Sequence, residues 1–495
     1  MKYAIPIVRY RLLLLLWLFV GGCQGLTFRQ PSEAPAASPP HIVVILADDL
    51  GWGDLAAAGP DSLLPTPSLE RIAAGGIRCT DAHSPSSVCT PTRYGLLTGR
   101  YAWRTSLRSG VLGGRSPALI SSDRATLPSV LADIGYRTSG IGKWHLGLQE
   151  KGPTNYSKPL VPGPSTVGFQ RWWGIPASLD MEPYLYFEDD HAVQLPTEKI
   201  KLSHPARGGG EGFWRAGAIA PGFHHADVLP DIGQRAVSEI EHHHQQHPDE
   251  PMFLYVALSA PHTPWLPGDP FNEVEGAGVY GAFVAHVDAV VGEIDAALDR
   301  NDMAEQTLLI VTSDNGAHWT PADVKKFPHR ANGPWRGQKA DIHEGGHRVP
   351  FLMRWPDRIA SSRQGKQYDG LICLTDLLPT LAKAAGMSLP KEVAPDGFDL
   401  LSSITKGDPS RRRSIVHHSL DGMFAVRQGP WKWIEGRGSG GFTAPKRVKD
   451  STGPVGQLYH LGNDPKEKVN LADSHPDVVA DLQAELDRIR TSGSR

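Results

Sequence analysis

Cysteine is scarce, four in 495 residues, and neither sign of charge dominates: 50 Lys and Arg face 53 Asp and Glu, a formal −3. Cysteine this sparse gives no disulfide framework for a chain of such length. The balanced charge excludes a broad basic surface, so nucleic acid and anionic membranes are not expected partners. Any anion must instead be gripped by a local cluster of cations. No apolar run approaches the roughly 17–25 residues needed to cross a bilayer. No internal repeat is visible, which argues against a solenoid. What remains is a globular composition, 40% hydrophobic and 21% charged. The length suits one large domain with a smaller one attached.

The first residues read as an export signal. Lys2, Arg9 and Arg11 form a basic start, and Leu12 to Val20 is an apolar run of nine, too short for a span. The signal peptide, residues 1–23, ends at Val20-Gly21-Gly22-Cys23, which resembles a bacterial lipobox; a plain secretory signal is the alternative. Residues 24–40, rich in Pro, Ala and Ser, read as a flexible tether. The expected location is the periplasm or outer surface as a lipoprotein, or else secreted and soluble. Contact with a membrane is expected only through the lipid. Setting Cys23 aside leaves Cys79, Cys89 and Cys373. Cys79 and Cys373 lie in apolar runs and read as small buried hydrophobes, with a disulfide between them left open.

From His41 onward, apolar runs of strand length alternate with helical patterns, the mark of an α/β sheet. The polar residues fall where these runs end. His41 to Ala47 ends in Asp48-Asp49, and Thr307 to Val311 leads to Asp314-Asn315. Met252 to Leu258 leads to His262, and Tyr136 to Ile141 leads to Lys143 and His145. Open α/β sheets bind ligands beyond the carboxyl ends of their strands, so these four ends predict one site. Amphipathic stretches at Thr66–Ala74, Leu127–Ile134, Tyr280–Leu298 and Leu374–Ala385 are expected helices. After Met387 short strands separated by turns predict a small antiparallel sheet, followed by a helix from about Pro476. The His242-His243-His244 run and Arg411-Arg412-Arg413 read as solvated faces. His224, His225 and His318 are possible linings of a substrate entrance. Trp172-Trp173 fits either a core or a sugar platform.

In Cys89-Thr90-Pro91-Thr92-Arg93, Pro91 opens a helix that Gly99 ends, which leaves Cys89 at a positive helix start. Unmodified, it would be an acidified thiol nucleophile. The segment resembles the C-x-P-S-R signature of type I sulfatases, with Thr92 where serine is usual, followed by Thr98-Gly99-Arg100. Asp48-Asp49 through Asp54, Gly142-Lys143-Trp144-His145-Leu146-Gly147, and Gly174 to Asp180 with its Ser178 resemble further motifs of that family. So do Ala260 to Pro264, Ser313 to Gly316, and Gly337-Gln338-Lys339 with Glu344 to Pro350. Arylsulfatases are the closest fit, and the resemblance covers nearly all of residues 41–495.

That resemblance implies an alkaline-phosphatase-like α/β fold, a large sheet flanked by helices, over residues 41–388. A smaller α+β subdomain of antiparallel sheet and helix would fill 389–495. It implies hydrolysis of a sulfate ester to an alcohol and inorganic sulfate, on a sulfated small molecule or carbohydrate. A maturation enzyme would convert Cys89 to formylglycine. Asp48, Asp49, Asp314 and Asn315 are hard oxygen donors suited to Ca²⁺, with Mg²⁺ second, and residue 89 would complete the metal shell. One hydroxyl of the hydrated aldehyde would attack sulfur, and the second would later expel sulfate. Arg93 and Lys143 would stabilise the hydrate and His145 would take the proton at release. His262 and Lys339 would hold the ester near its bridging oxygen, one of them protonating the leaving alcohol. Lys143, Ser178, His262 and Lys339 are the expected substrate contacts. The alternatives are a phosphonate monoesterase or phosphodiesterase of the same superfamily, and an inactive glycan-binding homologue.

Overall fold

The computed structural model describes residues 39–204, 212–448 and 455–493. The expected signal peptide, its lipobox-like Cys23 and the tether up to residue 38 lie outside the described residues. From Pro39 on, the chain packs as one unit.

Five parallel strands make its centre. His41–Asp48 lies between Met252–Pro261 and Thr307–Ser313, so that Ile45 sits opposite both Val256 and Val311. Arg137–Lys143 continues the sheet beside Met252–Pro261, and Arg171–Ile175 follows it. Antiparallel Phe351–Arg354 extends the other side, and short strands complete a ten-stranded sheet. Central strands read as unbroken apolar runs because both faces are covered. Ile42 to Leu46 are fully buried, each side chain of this kind contributing about 1.5–3 kcal/mol.

Helices Pro67–Ala74, Val228–Gln246 and Gly278–Arg300 pack together as one cover. Cys89–Thr98, Leu127–Ala132 and Leu377–Ala384 form a second group. The helix Cys89–Thr98 begins two residues before Pro91 and ends at Gly99, which takes the left-handed conformation (φ 60°) that favours glycine.

Four antiparallel strands, Ser414–His418, Phe424–Gln428, Trp431–Ile434 and Gln457–His460, form a separate small sheet. The helix Pro476–Thr491 packs on it through Leu482, Leu486 and Ile489. Tyr101, Trp103 and Cys373 of the main body share that core. No helix among the described residues is long and apolar enough to cross a membrane.

Two surface readings are corrected by packing. Arg412 is buried and makes a 2.5 Å ion pair with Asp376. His243 is buried too, edge-on to His41, with Nε2 2.9 Å from the Glu250 carbonyl. A run of like residues says nothing about which member turns inward. Trp172 and Trp173 are core residues, Trp172 packing on Trp144, Phe169 and Phe187.

Candidate active site

The carboxyl ends of the central strands bring the candidate residues into one buried cluster. His41–Asp48 delivers Asp48 and Asp49, and a register shift between Leu46 and Asp48 re-aims that end. Asp314 and Asn315 follow Thr307–Ser313, and His262 follows Met252–Pro261. Lys143 closes Arg137–Lys143.

Charges pair within the cluster. Lys143 Nζ donates to Asp48 Oδ2 at 2.6 Å. Arg93 donates twice to Asp314 Oδ2, at 2.8 and 2.9 Å, and once to the Lys143 carbonyl at 2.8 Å. Lys339 Nζ lies 2.8 Å from the Asp49 carboxylate, and Asn315 Nδ2 donates to Asp49 Oδ1 at 2.6 Å. His262 Nε2 is 3.8 Å from Asp49 Oδ2. Ligand atoms of Asp48, Cys89 and Asp314 lie within 4.8 Å of one another, as do those of Asp48, Asp49 and His262.

Burial would raise all three carboxyls, but the cations divide them. Lys143, Arg93 and Lys339 override burial at Asp48 and hold it below its usual value. Burial and the Asp48 charge push Asp314 up to about 6. Burial also raises the Cys89 thiol, in spite of Lys143 and Lys339. The acidified thiolate expected at a helix start is therefore not what this site makes: loss of solvent outweighs nearby charge.

His145 is pushed well below its ordinary value by burial and by the charges of Lys143 and Arg93. Its Nε2 is 2.6 Å from the Leu112 carbonyl, so this nitrogen carries the proton. Nδ1 is then a bare acceptor, buried and without a partner among the described residues. Asp49, His145 and Ala340, which follows Lys339, have φ of 67°, 59° and 78°. Non-glycine residues so placed cost of order 1–3 kcal/mol each and gather where geometry is held for function.

Asp48 Oδ1 and Asn315 Oδ1 are buried acceptors without a hydrogen-bond partner among the described residues. Two orphaned hard oxygens beside Asp49 and Asp314 fit a cation such as Ca²⁺, which takes oxygen ligands. Ser178 Oγ is likewise buried and unpartnered among the described residues. Cys79 and Cys373 are buried free thiols.

Three supporting groups had no role in the sequence reading. Asp54 accepts from Gly51 N at 2.6 Å and Tyr280 Oη at 2.5 Å, and pairs with His329 at 2.8 Å, bracing the loop after Asp49. Asp341 accepts the N–H groups of Phe442 and Thr443, binding a loop of the small sheet to the Lys339 segment. The Leu112 carbonyl orients His145. Only Asp54 left a trace, as the last acid of its motif; a backbone carbonyl leaves none.

A second group of ring nitrogens, on His83, His347 and His417, also falls within 4.8 Å. There five of the six ring nitrogens are already hydrogen-bonded without an ion, and His417 Nε2 is the one left buried without a partner among the described residues. His83 Nε2 donates to Asp81 at 2.8 Å, His347 Nδ1 donates to His83 Nδ1 at 3.0 Å, and Lys432 Nζ donates to His347 Nε2 at 3.0 Å. Arg427 Nη1 is 3.2 Å from His83 Nε2, a further cation that opposes a metal.

A ten-stranded α/β sheet with its charged cluster at the carboxyl edge, and a small antiparallel sheet with it, is the alkaline-phosphatase-like fold. Within that fold class the chain belongs to the sulfatase family, whose model matches residues 40–387, and it is a sulfuric ester hydrolase. It is similar to N-acetylgalactosamine-6-O-sulfatase of Bacteroides thetaiotaomicron, 31% identical over 496 residues, 93% of this chain and 95% of the relative. It is similar also to arylsulfatase A of Homo sapiens, 34% identical over 511 residues, 96% of this chain and 93% of the relative. A solved structure from work on the metabolism of multiple glycosaminoglycans by Bacteroides thetaiotaomicron superposes with a TM-score of 0.81 at 30% identity. It covers 92% of this chain and 100% of that one.

Proposed function

We propose that this enzyme removes sulfate from a sulfated carbohydrate, with Cys89 matured to formylglycine and Ca²⁺ held by Asp48, Asp49, Asp314 and Asn315. The observation that carries the reading is the pair of orphaned buried oxygens, Asp48 Oδ1 and Asn315 Oδ1, in the same cluster as Cys89. When present, the matured residue supplies a hydrated-aldehyde nucleophile and the cation stabilises charge on the sulfate oxygens.

The chain's own residues do the rest. Arg93, fixed by Asp314 and the Lys143 carbonyl, presents a rigid positive charge beside residue 89. Lys143 holds Asp48 in place and adds a second charge. His145 Nδ1, neutral and unpartnered among the described residues, accepts a proton as sulfate departs. Lys339 and His262 both face Asp49, and one of them would return a proton to the bridging oxygen of the ester. Ser178 Oγ offers a further contact to the ester.

The carbohydrate reading draws on the N-acetylgalactosamine-6-O-sulfatase relative. We read residues 41–388 as the catalytic domain and 389–495 as the subdomain. Export through residues 1–23, with a lipid on Cys23 or without one, would place the enzyme where such polymers are met. Matured enzyme loaded with Ca²⁺ should release sulfate from 6-O-sulfated N-acetylgalactosamine. It should turn over an aryl sulfate about 10²-fold faster in kcat/KM than the matched phosphate mono- and diesters. Preference for the phosphodiester would overturn the substrate assignment, and full activity with unmodified Cys89 would overturn the nucleophile.

A further inference from the structure

Beside the first strand of the small sheet is a cleft of about 240 Å³ lined by Arg411, Arg412, Arg413 and Arg488, with Ser414 and Gln428. Its ion pairs cancel one by one. Arg412 is taken by Asp376 and lies over the Phe398 ring, 4.8 Å from its centre. Asp396 is taken by Arg104 at 2.8 Å, and Glu485 by Arg488 at 2.7 Å. Arg411 and Arg413 remain, both exposed and without a carboxylate partner among the described residues. Buried Arg412 anchors the run, so its two neighbours flank the cleft with uncompensated charge, on a chain that is net negative.

The geometry points to a second anion-binding site here, one that holds a sulfate group of the carbohydrate chain other than the one being cleaved. Guanidinium groups bind tetrahedral oxyanions through paired N–H donors, which suits Arg411 and Arg413 to a sulfate ester. Position supports a chain rather than a free ion. Ser414–His418, an edge strand, begins at the cleft. At its other end the His418 carbonyl accepts from Ser86 Oγ and Ser87 N, just ahead of Cys89. That strand is largely buried, so its five residues give only the separation, roughly 16 Å, which a short oligosaccharide lying over the surface would span. The inference rests on the carbohydrate reading above. Net negative charge and only two free guanidinium groups disfavour a nucleic acid.

The test is a titration of a size-defined, labelled sulfated galactosaminoglycan oligosaccharide. It uses the full chain with Cys89→Ala, which keeps the ligand intact. Arg411→Gln/Arg413→Gln should raise Kd at least ~10-fold and flatten its salt dependence, as two lost charge contacts require. With Cys89 intact, the same double variant should keep kcat and KM for an aryl sulfate, which also shows that it folds. The desulfated oligosaccharide should bind weakly to both proteins. Unchanged Kd in the double variant overturns the site. So does equal binding of the desulfated chain, or tighter Arg-dependent binding of single-stranded DNA. Arg-dependent binding by an enzyme that releases sulfate from no sugar would overturn the carbohydrate substrate and leave the site standing.

Discussion

Two buried clusters in this molecule have the same formal charge and differ in how far their polar atoms are satisfied. The candidate active site opposes Asp48, Asp49 and Asp314 with Arg93, Lys143 and Lys339. The seam under the small sheet opposes Asp81, Glu344 and Glu467 with Arg348, Arg427 and Lys432. In the seam, Lys432 Nζ donates to Glu344 Oε1 and His347 Nε2, both at 3.0 Å, and makes an ion pair with Glu467 at 2.9 Å; His417 Nε2 and Glu467 Oε1 are the seam's buried atoms without a hydrogen bond among the described residues. Asp81 is gripped by Arg348 and Arg427, each at 2.7 Å. The active site instead leaves acceptors open on Asp48, Asn315, His145 and Ser178. A mostly satisfied network is a structural joint; one with several open acceptors around a single point is a place for a ligand. Perturbing the first should cost stability, and perturbing the second should cost activity.

The sharpest separation comes from Cys89. Cys89→Ser should lower turnover by roughly 10⁴-fold or more, since a serine ester has no second hydroxyl to expel sulfate. Chemical denaturation should show a stability change under about 1 kcal/mol. A large loss of stability would mean that Cys89 belongs with the seam. Peptide mass spectrometry of the active enzyme should find residue 89 lighter than cysteine.

Lys432→Met should do the reverse. It strands Glu467 in the interior and leaves Glu344 to its pair with Arg348, for a loss of about 3–5 kcal/mol, while folded protein keeps its KM for an aryl sulfate. Acid sharpens the comparison. Asp81 and Glu344 are held well below their ordinary values: burial alone would raise them, but Arg348 with Arg427, and Lys432 with Arg348, prevail. A depressed carboxyl stabilises the fold fully above its unfolded pKa, about 4–4.5, and this is lost as pH falls toward the folded value. Glu467, which burial raises in spite of Lys432, works against this. The melting temperature should therefore hold down to about pH 5 and fall below it. Lys432→Met should flatten that fall, and an unaltered acid profile would remove the seam from the account.

Calcium should stabilise only the open cluster. Adding Ca²⁺ to chelator-treated protein at about 100 times its Kd should raise stability by about 2.7 kcal/mol. Asn315→Ala should abolish the shift and His347→Ala should not. A Zn²⁺ shift lost in His347→Ala would show that the histidines hold a metal after all.

The candidate site was legible because each strand end writes its chemistry locally: an apolar run, then Asp-Asp, Asp-Asn, or a Lys and a His. The parallel sheet then had to bring those ends together. The small sheet, too, could be read from turn residues between short runs, with Trp431–Ile434 ending where expected. The seam was not legible. Asp81 with His83, Glu344, Lys432 and Glu467 come from four separate segments, and nothing near Lys432 in a Trp-Lys-Trp strand marks it as buried. Arg412 and His243 were misplaced for the same reason. The Cys89 thiol was misjudged because helix geometry is local, whereas its burial is set by the whole fold.

Asp341 lies where the two clusters' segments meet, and its effect should be the smallest. One carboxylate oxygen accepts Phe442 N at 2.8 Å and Thr443 N at 3.0 Å; the other accepts Gln338 N at 3.1 Å. It thus ties the loop of the small sheet to the turn carrying Lys339. The Phe442 ring is 5.3 Å from that of His318, which follows the Asp314-Asn315 pair by three residues. Asp341→Asn keeps one oxygen and replaces the other with a donor, so either the loop or the turn loses its acceptor. If the loop forms part of the wall that meets the sugar, KM for a carbohydrate sulfate should rise about tenfold, close to 1.4 kcal/mol, with kcat nearly unchanged. KM for a small aryl sulfate should barely move, because that substrate does not reach the loop. A fall in kcat on both substrates at constant KM would instead assign Asp341 to the posture of Lys339. The joint made by the small sheet would then act on the chemistry itself.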